Sequence, residues 1–204
     1  VVGGVRAAHH LGDERHLGIA QDGIEIMHHE VTQRGVRELA QVEDVFDVDG
    51  VLSPSTVPLL PNGTPSRMVN VKDAYALQLA IKMGYKIAII TGADCEAMRI
   101  RLNSLGVKDV YLKTSIKIVC LKTWIESYGL KPEEVAYIGD DIPDFECMNY
   151  VGLSISPNDA AEDIKRASIY ISPKNGGEGV ARDFLEQLLR NNGQWFNSES
   201  AFVW

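Results

Sequence analysis

Long apolar runs are missing from this 204-residue chain. Nothing in it approaches the roughly 18 consecutive residues that a membrane-spanning helix requires, so no membrane partner is expected. The first residues hold no basic patch followed by an apolar stretch, so no secretory signal is expected either. Cysteine is scarce: Cys95, Cys120 and Cys147 are widely spaced, form no CxxC pair and have no histidine at zinc-ligand spacing. That pattern argues against a zinc or disulfide framework and fits thiols kept reduced in the cytoplasm. Positive charge is also short, with 20 basic against 28 acidic residues, a net charge of −8 and no basic patch, which disfavours nucleic acid as a partner. Lysine is absent before Lys72, whereas all five histidines (His9, His10, His16, His28, His29) precede Val42. This shift marks residues 1–41 as an atypical segment, and its paired histidines lie on no helical or strand period.

What is present is ordinary for one α/β domain with a real core: 45% hydrophobic and 24% charged residues. From Val42 onward, strand and helix signals alternate. Val45–Val48, Lys86–Thr91 and Val135–Ile138 read as short β-rich runs. Between them, Leu77, Ala80 and Ile81 line one helix that stops at Gly84. Met98, Leu102 and Leu105 line a second that stops at Gly106. Ile118, Leu121, Ile125 and Tyr128 line a third that stops at Gly129, and a last helix spans about Glu178 to Arg190. Continuous apolar strands alternating with helices predict a Rossmann-like three-layer α/β sandwich with a central parallel sheet. Such sheets bind ligands at the carboxyl ends of their strands.

The chemistry-bearing residues fall at those ends. The first strand runs out into Asp47-Val48-Asp49-Gly50, two carboxylates on a turn; Gly50 is fourth in this stretch, whereas an EF-hand loop needs its glycine at about the sixth position. The second ends in Thr91-Gly92, a hydroxyl and a free backbone N–H suited to a phosphate oxygen. The third ends in Gly139-Asp140-Asp141-Ile142-Pro143-Asp144, three aspartates that repel one another unless a cation sits among them, and an all-oxygen set selects a hard ion such as Mg²⁺. The alternative for that stretch is a solvated acidic turn capping the helix after Pro143. Lys117 opens a helix, where its charge opposes the helix dipole, so that a lysine there is either solvated or used in the site.

In order, DVDGV (Asp47 to Val51), TG (Thr91, Gly92), the lone Lys117 and GDDIPD (Gly139 to Asp144) resemble the haloacid dehalogenase superfamily. Within it, NVKDAYAL (Asn70 to Leu77), VAYIGDDIPD and GGEGVARDFLEQLL (Gly176 to Leu189) are similar to the 3-deoxy-D-manno-octulosonate 8-phosphate phosphatases, over about Val42 to Gly193. The chain departs from that pattern in carrying charge at Glu43 and Asp44 in the first strand, Ala74 for a usual glycine, Ala93 where many members have arginine, and Ile116 where aspartate is frequent.

The resemblance implies Mg²⁺-dependent hydrolysis of a sugar phosphate through an aspartyl-phosphate. Asp47 would be the nucleophile and Asp49 the general acid and base, the latter protonated because the anionic site raises its pKa. Asp47, Asp140 and the Asp49 backbone carbonyl would hold the metal, with Asp141 and Asp144 behind them. Thr91, Gly92 and Lys117 would hold phosphoryl oxygens, and Lys72 would contact substrate. The intervals Asp47–Thr91 and Thr91–Lys117 are too short for a cap domain, so the expected form is capless, with a proline-rich hairpin flap over 51–71. The resemblance further implies a homotetramer whose neighbouring subunits close the sites. The aromatic tail 194–204 could cover a neighbour's site, pack on its own domain, or hang free. Three other functions stay open: a phosphatase for a nine-carbon sugar acid 9-phosphate, a phosphatase-like scaffold without catalysis, and a protein or nucleic-acid phosphatase.

Overall fold

The computed structural model describes residues 42–196 and 199–203. The histidine-rich segment 1–41 lies outside the described residues.

Six short strands form one wholly parallel sheet in the order β3-β2-β1-β4-β5-β6. The strands are β1 (Glu43–Phe46), β2 (Ile87–Ile90), β3 (Asp109–Tyr111), β4 (Val135–Ile138), β5 (Leu153–Ser156) and β6 (Tyr170–Ile171). The helices are α1 (Val71–Lys82), α2 (Glu96–Ser104), α3 (Lys117–Ser127), α4 (Phe145–Tyr150), α5 (Glu162–Ala167) and α6 (Val180–Asn191). Because successive side chains of a strand point to opposite faces, β1 sends Phe46 into one core and Val45 into another. The Phe46 side is filled by α1, α2 and α6, through residues such as Leu77, Leu102, Phe184 and Leu188. The Val45 side is filled by α3, α4 and α5, through Leu121, Trp124, Met148 and Ile164. The expected three-layer α/β sandwich is therefore the observed fold.

Two boundaries differ from the sequence reading. The first strand runs Glu43–Phe46 rather than Val45–Val48, because backbone pairing to both β2 and β4 fixes it. Asp44 and Glu43, which interrupt the apolar run, are part of the strand; Glu43 is kept there by accepting bonds from the Lys86 backbone and ammonium. The flap over 51–71 is no two-stranded ladder. Its single antiparallel bridge joins Leu59 and Pro65, and backbone bonds Leu60 N to Thr64 O (2.9 Å) and Ser66 N to Pro58 O (2.8 Å) hold its turn.

Of the described part of the aromatic tail, Trp195 and Ala201 pack on the tail's own domain, whereas Phe196 and Phe202 are exposed. Trp195 is buried in the α1–α6 core, edge-on to Tyr75 with Arg182 over its ring. Ala201 is buried beside it, and its carbonyl accepts from the Tyr75 hydroxyl.

Chain direction across the sheet reverses between β1 and β4. The connections from β1 go one way to β2 and β3, and those from β4 go the other way to β5 and β6. The crevice beyond the carboxyl ends of β1 and β4 is the topological switch point, where open α/β sheets bind ligands.

Candidate active site

Asp47 leaves β1 and Asp140 leaves β4, so the two carboxylates flank that crevice. They fit because of Gly50. Its φ is +79°, and a Cβ there would lie 1.9 Å from an Asp140 carboxylate oxygen. The glycine is required by backbone shape and by close approach together. Gly176, in the turn before α6, packs its Cα against the Gly50 carbonyl, and Gly177 N–H donates to Val51 O at 2.8 Å. The GGEG stretch thus supports the Asp47–Asp49 turn from behind.

Lys117, the first residue of α3, is buried and reaches both carboxylates: Nζ lies 2.9 Å from Asp47 Oδ2 and 2.7 Å from Asp144 Oδ1. These contacts offset the cost of a cation at a helix N-terminus. Burial disfavours its charge, but the adjacent Asp47 and Asp144 carboxylates outweigh that and hold its pKa above the usual lysine value. Asp144 is saturated. Its Oδ1 also accepts from the Tyr137 hydroxyl at 2.7 Å, and its Oδ2 faces the Asp140 N–H at 3.3 Å and, weakly, the Asp141 N–H at 3.5 Å. Its place is therefore to fix Lys117 and the loop after β4. Asp141 is exposed and caps the short 3₁₀ turn Ile142–Asp144.

The electrostatics call for a cation. Asp47, Asp140 and Asp144 bring carboxylate oxygens within 4.8 Å of one another, against one ammonium. Burial, with the Asp144 charge beside it, lifts Asp47 to about 6; burial, with Asp47 and Asp144 nearby, lifts Asp140 to about 8. Asp47 Oδ1 is buried with no hydrogen-bond partner among the described residues. An orphaned carboxylate oxygen beside a half-buried aspartate suits a hard divalent cation, so Asp47 and Asp140 fit the expected metal.

The remaining expected residues divide. Thr91 is buried at the end of β2, its Oγ1 accepting from Ala93 N–H at 3.1 Å, and Gly92 is exposed beside it. Asp49 stands apart from the carboxylate cluster. Arg67 of the flap grips it with both arms of its guanidinium, Nε to Oδ1 and Nη2 to Oδ2 at 2.7 Å each. The carboxylate cluster is made by Asp47, Asp140 and Asp144, without Asp49. Lys72 is exposed at the start of α1, in a groove with Lys174 and Arg182, and no contact joins it to Asp47 or Lys117. Sequence reasoning missed Arg67 and Tyr137. Tyr137 sits inside the quoted VAYIGDDIPD stretch, where its burial on β4 hides a hydroxyl aimed at the site; Arg67 lies in a loop with no periodic signal.

A family model for haloacid dehalogenase-like hydrolases matches residues 107–184. Curated relatives cover much more of the chain, and the chain belongs to the haloacid dehalogenase-like hydrolases and is a phosphomonoesterase. Among those relatives is the 3-deoxy-D-manno-octulosonate 8-phosphate phosphatase KdsC of Escherichia coli K12, 33% identical over 150 residues, which are 74% of this chain and 80% of that one. Solved structures agree. The 3-deoxy-D-manno-octulosonate 8-phosphate phosphatase from Yersinia pestis superposes with a TM-score of 0.75 at 31% identity, covering 78% of this chain and 88% of that one. The enzyme of the same name from Moraxella catarrhalis, in complex with magnesium ion, phosphate ion and KDO molecule, gives 0.74 at 29% identity, covering 85% and 96%.

Proposed function

We propose that this phosphomonoesterase hydrolyses 3-deoxy-D-manno-octulosonate 8-phosphate to the free sugar acid and phosphate, with Mg²⁺, through an aspartyl-phosphate on Asp47. The observation that carries the proposal is Asp47 itself: a buried carboxylate at the switch point, tied to Lys117 through one oxygen and, among the described residues, without a partner at the other. The similarity to KdsC supports the substrate, and the Moraxella catarrhalis complex supports the metal.

Phosphate monoesters are among the slowest substrates to hydrolyse unaided, requiring acceleration of up to ~10²¹-fold. Splitting the displacement into two steps, with charge held in place, lowers that barrier. Asp47 attacks phosphorus while the ester oxygen departs with the bonding pair and takes a proton from Asp49. Water then attacks the aspartyl-phosphate, losing its proton to Asp49 as Asp47 is released. Lys117, the Thr91 hydroxyl and the Gly92 N–H hold the phosphoryl oxygens. Asp47, Asp140 and the Asp49 backbone carbonyl would hold Mg²⁺, which supplies positive charge against the phosphoryl oxygens. Asp144 keeps Lys117 in place; Asp141 orders the loop, and Lys72 contacts the distal part of the sugar acid when the groove closes.

Closure is assigned to neighbouring copies in a homotetramer. The flap exposes Leu59, Leu60, Met68 and Val69, and the opposite rim exposes Ile116, Ile142 and Phe145. Apolar surface of this kind suits a protein interface. Sedimentation as a monomer at micromolar concentration would remove this part of the proposal. No helix among the described residues is long and apolar enough to cross a membrane. The free thiols Cys95, Cys120 and Cys147 support a reducing, cytoplasmic setting. The test is phosphate release from the eight-carbon 8-phosphate and from a nine-carbon sugar acid 9-phosphate, each with Mg²⁺ and with EDTA. Preference for the nine-carbon acid would keep the chemistry and reassign the substrate.

A further inference from the structure

Asp49 lies on the turn after β1 with its side chain 39% exposed, whereas the Arg67 side chain that grips it is 8% exposed. The acid–base group is thus the freer partner, and the flap residue is the fixed one. The backbone bond from Ser66 to Pro58 braces the chain next to Arg67. A guanidinium fork engages both oxygens of a carboxylate in one plane, so it sets the direction of that carboxylate as well as its position. It stays charged, so it orients Asp49 without relaying its proton.

We infer that Arg67 is a positioning residue for the acid–base step, aiming Asp49 at the departing oxygen and making that step depend on the seating of the flap. The inference rests on the reading of Asp49 as the acid–base group. In the first half-reaction the P–O ester bond breaks, its electron pair stays on the leaving oxygen, and that oxygen takes the proton of the Asp49 carboxyl. The carboxylate left behind carries the new negative charge, and the guanidinium already faces both its oxygens. Each oxygen keeps a second lone-pair site, so the fork leaves room for the proton. Without the fork, the partly exposed Asp49 side chain is free to turn, and a displacement of about 1 Å in a catalytic group can cost on the order of 10²-fold in rate.

The test compares leaving groups. kcat/KM reports the steps through phosphoryl transfer to Asp47, and a general acid matters most when the leaving group is poor. For Arg67→Met, kcat/KM should fall about 10-fold or more on phenyl phosphate and less than about 3-fold on p-nitrophenyl phosphate, with Arg67→Lys in between. Asp49→Asn should show the same leaving-group dependence, and the double variant should be little worse than Asp49→Asn alone. Hydrogen exchange over residues 58–69 should quicken in Arg67→Met while the melting temperature holds. Equal losses on both esters would reduce Arg67 to a structural part and overturn the inference. Unchanged flap exchange would show that the pair is absent in solution, with the same consequence. If Asp49→Asn itself shows no leaving-group dependence, the acid–base reading of Asp49 falls first and the role of Arg67 falls with it; if Asp49→Asn shows it and Arg67→Met does not, the inference alone fails.

Discussion

Asp44 lies within β1 and Asp47 directly follows its last residue, three positions apart, and both are buried. At the carboxyl end, Asp47 has the Lys117 ammonium at 2.9 Å and a pKa lifted to about 6 by burial and Asp144. Toward the amino end, Asp44 is fully buried with both carboxylate oxygens unpartnered among the described residues, and burial with the nearby Glu43 charge pushes its pKa well above the usual carboxylate value. The same desolvation acts on both. Where β1 meets the switch point, an ammonium and a cation-ready cluster surround the carboxylate, which suits the nucleophilic role proposed for it. Where β1 meets the α1–α6 core, nothing among the described residues partners the carboxylate, and desolvation favours the neutral acid at a cost to stability.

The sharpest way to break this comparison is to remove the reactive member. Asp47→Asn should lower phosphate release by on the order of 10⁴-fold or more, because an amide does not form the phosphoenzyme, while far-UV circular dichroism stays native. Next is its partner. Lys117→Met leaves buried carboxylates without their cation, so urea unfolding of the metal-free protein should show a loss of about 3–5 kcal/mol, together with loss of turnover. A smaller and opposite effect is expected at the other end of the strand. Asp44→Asn or Asp44→Val removes a buried acid with no partner and should stabilise the protein at pH 7 by about 1–3 kcal/mol in the same assay, with turnover unchanged.

Stability against pH separates the two ends further. Asp47 and Asp140 have folded values of about 6 and about 8, and Asp44 is raised as well. The unfolded chain gives up these protons near pH 4, before the folded protein does, so the native state binds more protons across the interval. The stability these groups contribute is therefore fully present below about pH 4 and lost as pH rises through their folded values. Melting without metal should show the decline from about pH 4 to 8. Saturating Mg²⁺, at about 100 times its dissociation constant, should restore about 2.7 kcal/mol in the wild type and little in Asp140→Ala. The Asp44 contribution should not respond to Mg²⁺, which would confirm that the two carboxylates differ in surroundings rather than in burial.

Much of this was legible in the sequence because it is local. DVDGV, TG, Lys117 and GDDIPD each sit next to a strand end or helix start, and an apolar run followed by aspartates announces itself. β4 and the helices closed by Gly84, Gly106 and Gly129 were readable for the same reason. What was hidden depends on distant partners. Asp44 reads as a break in the first strand, and pairing on both sides restores it. β5 carries Ser154 and Ser156 in place of apolar residues, with Ser154 kept in the core by a bond to Ala167 O; β6 has two residues. Arg67 is 18 positions from Asp49, and Tyr137 looks like any strand aromatic until its hydroxyl meets Asp144.

The most direct test is phosphate release from 3-deoxy-D-manno-octulosonate 8-phosphate by wild-type protein and by Asp47→Asn, with Mg²⁺ and with EDTA. The account predicts release by the wild type with Mg²⁺ alone, and none above background from Asp47→Asn in either condition. Release by Asp47→Asn at the wild-type rate would contradict the nucleophile and, with it, the contrast between the two ends of β1.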